Sequence, residues 1–244
     1  MDENSHNHAE KAAEKQASFP RKAVIQFVII TAIFPLILFL VSGDWRWKQA
    51  WVFYAIHLVF SYVGRWIAWR RNPDLLAERG RHREHQDAMP GDQQLVLWAA
   101  VILPLVVWVV AAIEHRLVQP AVIPQSATWI AGVIVGIGYL IGNWAFIVNQ
   151  FFSAVVRLQS ERKQVVVSQG PYAIVRHPGY AGGILAYLAI PILLGSLWAL
   201  LPTLINILLV ILRTSREDIF LKQKLDGYQA YTEKVKYRLL PWVW

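Results

Sequence analysis

Apolar positions run in long blocks separated by short polar breaks. Blocks long enough to cross ~30 Å of hydrocarbon fall at about 23–41, 48–69, 94–113 and 128–152. A fifth, at about 181–212, would form a single helix of roughly 48 Å at ~1.5 Å per residue, too long for one upright crossing. Gly195 and Ser196, with Pro191 and Pro202 on either side, mark a place for that block to turn back. The pattern predicts an all-α integral membrane protein. It has four transmembrane helices plus a C-terminal helical hairpin, five to six membrane segments in all, and a cytoplasmic C-terminal helix. Residues 1–22 read as a polar tail, 23–156 as the N-terminal transmembrane helices with a cytoplasmic loop at 70–93, and 157–244 as a C-terminal region holding a motif loop, the hairpin and the last helix.

Charge places the loops. Of the 24 Lys and Arg residues, 20 lie in the tail, the loop after the second block, the loop after the fourth block and the C-terminal region. The alternate loops carry only Arg46, Lys48 and Arg116, and the turn at Gly195 carries none. Basic residues near span ends favour the cytoplasmic side, so both termini and the motif loop are expected there. An even number of crossings must then separate the motif loop from the C-terminal region, which favours the hairpin over one long helix.

Composition agrees. The chain is 56% hydrophobic with 12 Trp, and its mean hydropathy of +0.36 is high for a soluble domain. The net charge of +8 is spread between apolar blocks and not gathered on one soluble face, so it reads as a topology signal and not as a nucleic-acid footprint. With no Cys, thiolate nucleophiles, disulfides and Cys-based metal sites are excluded. The tail lacks the basic start and apolar stretch of a cleaved signal peptide.

Smaller features fit this frame. Asn72, Pro73, Asp74 and Gly80 outline a short surface helix whose Leu75 and Leu76 would dip into the membrane interface. Gly132, Gly136, Gly138 and Gly142 form two small-xxx-small pairs suited to close helix packing. Asn143 and Gln150, seven apart on one helical face, call for protein or a water-filled cavity beside them. His57 reads as packed and hydrogen-bonded, and the intramembrane Arg65 as snorkelling.

The densest chemistry sits at one boundary, in GPYAIVRHPGYAGG, Gly170 to Gly183. Pro171 and Pro178 hold the residues before them, Gly170 and His177, out of helical geometry. Gly179, Gly182 and Gly183 let a backbone or ligand approach closely. A rigid loop results, presenting Tyr172, Arg176, His177 and Tyr180. Downstream, Arg213 closes the last apolar block and Glu217 follows on the same helical face, where the two are placed to form an ion pair. No glycine-rich phosphate loop, HExxH, GxSxG or two-His-one-carboxylate spacing is present.

Residues Gln164 to Pro241, in the pattern QVVVSQGPYAIVRHPGYAGG … RTSREDIFLKQKLDGYQAYTEKVKYRLLP, resemble the C-terminal half of the isoprenylcysteine carboxyl methyltransferase family and, more loosely, the phospholipid N-methyltransferases. The resemblance covers about a third of the chain. It implies a membrane-embedded methyltransferase using S-adenosyl-L-methionine, with S-adenosyl-L-homocysteine as product and no metal. By position it puts Gln164, Val165, Val166, Val167, Tyr172, His177, Pro178, Gly179, Tyr180 and Glu217 at the cofactor. It makes Arg213 and Glu217 the catalytic pair, with Arg213 toward the substrate.

The chemistry is compatible with that assignment. A sulfonium beside a carboxylate and an amine wants an acid, hydrogen-bond donors and aromatic faces. A carboxylate acceptor is already nucleophilic at neutral pH and needs positioning and desolvation but no base. An amine acceptor would need one, with Glu217 or His177 the candidates. The implied partner is a membrane lipid or a lipidated substrate, not nucleic acid. Carboxyl methylation of an isoprenylcysteine-like acceptor leads, and phospholipid or other lipid-amine N-methylation follows. A sterol-type reductase using NADPH and a non-enzymatic membrane scaffold are the remaining alternatives.

Overall fold

The computed structural model describes residues 21–80, 88–118 and 123–244. The polar tail up to residue 20 and the part of the basic loop at 81–87 lie outside the described residues. No strand occurs among those described, and every long element is a helix.

The first apolar block forms α1 (Arg21–Val28) and α2 (Ile37–Ser42), joined without a break by one π turn and one 3₁₀ turn around Pro35. Pro35 has no N–H to give and crowds the preceding turn, which accounts for the change of pitch there. Gly43, with φ +70°, ends α2. The second block is α3 (Lys48–Arg71), followed by the short α4 (Pro73–Gly80). The third is α5 (Asp92–Leu97) running through a π turn into α6 (Leu103–Leu117). The fourth is α7 (Gln125–Val148).

The fifth block divides where the sequence placed its turn, into α8 (Pro178–Leu193) and α9 (Leu200–Lys224), with Gly195 at φ +74° between them. The last helix is α10 (Tyr228–Lys234). Among the described residues three helices are long and apolar enough to cross a membrane: Val24–Ser42, Asp92–Leu117 and Gln125–Val148. Their outward faces leave Leu40, Val106, Ile130, Val133, Ile137 and Leu140 exposed, as lipid-facing helices require and soluble ones avoid.

Two boundaries differ from the sequence reading. The helix α7 stops at Val148, not 152, because the Asn149 side chain accepts the N–H of Phe151 and turns the chain out of the helix. Gln150 therefore lies past the helix end and does not share a face with Asn143. Leu75 and Leu76 do not dip into the interface; they are buried against Ala68 and Phe146.

The most extensive helix contact joins α7 and α8. It depends on two glycines: a Cβ on Gly138 would lie 2.6 Å from the Gly182 carbonyl oxygen, and one on Gly182 would lie 2.5 Å from that of Gly138. At the end of the bundle away from the motif loop, Phe39, Phe53, Val107, Ile190 and Leu193 fill the main core. There the buried Glu114 accepts the Ser196 hydroxyl at 2.5 Å and the Trp198 N–H at 2.9 Å, closing the α8–α9 turn. The same turn sends the start of α8 and the end of α9 to the opposite pole, where the site forms.

Gly182→Ala is expected to destabilise the protein by about 1–3 kcal/mol through overpacking against backbone. Gly183→Ala, whose Cβ meets nothing within 4 Å, is expected to unfold at the wild-type temperature. Thermal unfolding of both variants in detergent checks this contrast.

Candidate active site

Between α7 and α8 the chain is irregular, with a tight turn at Gly170–Ala173 and Gly170 at φ +57°. His177 is non-helical (φ −126°, ψ 61°) and Pro178 opens α8, as the prolines required. The loop end pairs with the C-terminal segment through its backbone: the Arg176 N–H donates to the Tyr237 carbonyl and the His177 N–H to that of Arg238, each at 2.9 Å.

Side chains reinforce this junction around one carboxylate. Asp218 on α9 is fully buried. It accepts two hydrogen bonds from Arg176, at 2.8 and 3.1 Å, one from Arg238 at 3.0 Å and one from the Tyr228 hydroxyl at 3.1 Å. His177 Nε2 lies 3.4 Å from the same carboxylate. Arg176 also donates to the carbonyls of Val235 and Lys236 at 2.8 and 2.7 Å. Burial alone would raise the Asp218 carboxyl, but the hydrogen bonds from His177 and Arg176 and their charges outweigh it and hold it well below the usual carboxylate range. Burial, then the charges of Asp218 and Glu217, push the Tyr228 hydroxyl up.

Above this cluster lies a cavity of about 220 Å³. It gathers nearly every residue the resemblance singled out. Gln164, Val165, Val166, Val167, Tyr172, His177, Gly179, Tyr180, Arg213 and Glu217 all line it. Pro178 does not; it is buried in the first turn of α8. The Tyr180 hydroxyl donates to Glu217 at 2.6 Å, and its ring lies under the Arg213 guanidinium at 5.4 Å. Tyr172 hydroxyl meets the Asn149 amide at 3.2 Å, while its carbonyl accepts the Tyr231 hydroxyl at 2.7 Å. Gln164 Oε1 accepts the Gln159 N–H at 2.7 Å.

One expected contact is replaced. Arg213 does not pair with Glu217. Its Nε and Nη2 donate to the two oxygens of Asp92 at 2.8 and 3.0 Å, and Nη2 also to the Ala154 carbonyl at 3.0 Å. Asp92 is fully buried and accepts the Val156 N–H as well, so a forked, desolvated partner outcompetes the neighbour one helical turn away. Glu217 is left to Tyr180.

Sequence reasoning missed several other residues. Arg79 of α4 reaches the cavity and donates to the carbonyls of Phe152 and Ser153 at 3.0 and 3.1 Å. Burial, then the Arg213 cation, pulls its guanidinium down to about 10. Arg157 pairs with Glu78 at 2.9 Å and with Glu161, fastening α4 to the loop. The end of α4 and the start of α5 thus supply Arg79 and Asp92 to the site. The signal available was Asp92 itself, a lone acid at the head of a long apolar block.

Residues 126–226 match the phospholipid methyltransferase family model. The matched span runs from α7 through the motif loop, α8 and α9, and so contains every motif residue around the cavity except those of α10 and the last segment. It agrees with the wider isoprenylcysteine and phospholipid methyltransferase superfamily that the motifs resemble, and it supports a membrane methyltransferase acting on lipid. Arg79 and Asp92 lie outside the matched span. No curated protein matches the chain. Among the described residues no three His, Asp or Glu side chains cluster as a metal site.

Asp218→Ala is expected to cost about 3–5 kcal/mol, because it leaves the buried Arg176 guanidinium, and the partly exposed Arg238 beside it, without their anion. A carboxyl held below its unfolded value of 3.8 stabilises fully above that value and loses the contribution only as the pH falls through the folded one. The stability gap between wild type and Asp218→Ala is therefore expected to stay flat from about pH 5 to 8, as read by thermal unfolding across that range.

Proposed function

We propose that the protein is a membrane-embedded, S-adenosylmethionine-dependent methyltransferase that acts on a lipophilic acceptor at the cytoplasmic face. One observation carries the proposal: residues drawn from the stretches 164–167, 172–180 and 213–217, distant in sequence, line one cavity together with Tyr228 and Tyr231.

The donor set suits the cofactor. Glu217 offers a carboxylate to its amine and sulfonium ends, Tyr180, Tyr228 and Tyr231 offer aromatic faces, and Val165 to Val167 offer an apolar wall. When bound, S-adenosylmethionine supplies an electrophilic methyl group for in-line displacement. The chain contributes geometry. Tyr180 fixes the Glu217 carboxylate at 2.6 Å, and Asp92 fixes Arg213 with one nitrogen, Nη1, still available among the described residues. These rigid contacts need no rearrangement as charge shifts in the transition state.

A carboxylate acceptor of the isoprenylcysteine kind is the reading we favour. The titratable groups of the cavity wall are already engaged: His177 lies against Asp218 and Tyr228, and Glu217 accepts from Tyr180. An acceptor that needs no proton removed fits such a wall. The second reading is N-methylation of a phospholipid amine, in keeping with the description of the matched family model; Glu217 would then have to exchange its tyrosine for the departing proton.

Titration calorimetry with S-adenosylhomocysteine in detergent is expected to give a saturable heat for wild type. Glu217→Ala is expected to weaken it by about tenfold or more, the loss of one charge-assisted contact. Absence of heat from the wild type would refute the methyltransferase reading.

A further inference from the structure

All twelve Trp lie among the described residues, and the nine that are exposed divide by height along the bundle. Trp45, Trp51, Trp129 and Trp198 lie toward the pole of the α8–α9 turn, and Trp66, Trp69, Trp98 and Trp144 toward the pole of the motif loop. Trp51 and Trp69 stand about 27 Å apart along α3 at a rise of ~1.5 Å per residue, close to the ~30 Å of a hydrocarbon core. Indole rings collect at the two edges of that core, where the ring is apolar and its N–H stays wet. The two groups therefore mark the bilayer boundaries on this protein.

The ninth exposed Trp belongs to no spanning helix. Trp242 lies in the segment 239–244, just beyond the carbonyls of Tyr237 and Arg238 that accept the Arg176 and His177 N–H groups. Those donors immediately precede α8, so the segment leaves the fold at the level where α8 enters the core. At no more than ~3.6 Å per residue, four residues keep Trp242 within about 15 Å of that level. The segment is a closed turn and not a frayed end. The N–H groups of Arg238, Leu239 and Leu240 donate to the Trp244 backbone oxygen at 2.8, 3.0 and 3.3 Å, and the Trp244 N–H returns to the Leu240 carbonyl at 3.2 Å. The Arg238 guanidinium, which donates to Asp218, lies 4.8 Å from the Trp244 ring.

This turn displays apolar side chains at a conformational cost. Trp242 is held at φ +64°, a left-handed conformation unfavourable for any residue with a Cβ. Its side chain is nevertheless 86% exposed, with Val243 at 75% and Leu240 at 57%. Apolar exposure on that scale points to a partner outside the fold, and charge says which. From Lys222 to Trp244 the chain carries five basic residues and two acidic ones, and Lys234 and Lys236, just before the turn, are exposed. Apolar side chains flanked by free lysines match anionic head groups lying over acyl chains. A second copy of the chain would bring the same positive charge against it.

We propose that the turn 239–244 is a membrane-surface anchor: Leu240, Trp242 and Val243 enter the head-group boundary at the motif-loop pole, while Lys234 and Lys236 hold anionic lipid head groups. The anchor does not depend on what the cavity binds. Through Arg238 it adjoins the Asp218 cluster, so the bilayer surface holds the C-terminal segment at the height where a lipid would meet the cavity.

The chain has no Cys, so a single nitroxide on Val243→Cys reports depth in the full-length protein in lipid nanodiscs. Its accessibility to oxygen, which partitions into lipid, is compared with its accessibility to a water-soluble nickel chelate. Ile137→Cys on α7 and Gln229→Cys on α10, both exposed positions, give the hydrocarbon and aqueous limits. In phosphatidylcholine mixed with phosphatidylglycerol, the oxygen-to-nickel ratio at 243 is expected to lie severalfold above that at 229. It is expected to fall toward the aqueous limit in phosphatidylcholine alone, and also in the mixed lipid when Lys234→Gln and Lys236→Gln are combined. A ratio at 243 equal to that at 229 in the mixed lipid overturns the inference, as does a ratio that ignores lipid charge. Low accessibility to both reagents would show the turn covered by protein, and overturns it as well.

Discussion

A single buried carboxylate, Asp218, ties together the three parts of the chain that make the site. The motif loop reaches it through Arg176, the C-terminal segment through Arg238, and α10 through Tyr228. An uncompensated charge at that depth would cost several kcal/mol, and so would the buried Arg176 guanidinium left without it. The cluster is therefore stable only when all its members arrive together. That mutual dependence fixes the loop against the helix end with a rigidity that the irregular backbone from Asn149 to His177 could not supply alone.

The membrane sets the second constraint. Backbone polar groups within hydrocarbon must be satisfied inside helices, so the irregular, hydrogen-bond-rich chemistry is confined to one pole of the bundle. The α8–α9 hairpin makes this possible by returning the chain to the pole it left. Glu114 secures the turn at the far pole, and the interlocked glycines Gly138 and Gly182 let α7 and α8 approach closely enough for the motif loop to bridge their ends. A lipid can then leave its chain among apolar side chains while its head meets a polar cavity.

Much of this was legible in the sequence, for local reasons. The hairpin turn announced itself through Gly195 between two prolines and through the absence of charge there, and the motif loop through prolines that dictate their neighbours' geometry. The residues that line the cavity were recoverable because they lie in short stretches with a shared pattern. What stayed hidden depends on contacts across the fold. Nothing local says that Arg213 finds its partner in Asp92, 121 residues away, so the nearer Glu217 looked like the natural mate. Leu75 and Leu76 read as interfacial because an apolar pair on a short helix looks the same whether it faces lipid or Phe146. Asp218 drew no notice beside Glu217, since only the fold brings two arginines and a tyrosine around it.

The central claim is that the motif loop and the C-terminal segment are joined at one pole of the bundle, and it can be measured without any ligand. The chain contains no Cys, so cysteines introduced at the exposed Ile174 and Lys236 can carry a pair of spin labels with no competing site. Pulsed electron paramagnetic resonance in lipid nanodiscs is expected to return a single distance of less than about 20 Å, as the Arg176 to Tyr237 backbone hydrogen bond requires. A distribution centred beyond ~30 Å, the thickness of the hydrocarbon core, would place the two stretches on opposite faces and contradict the account.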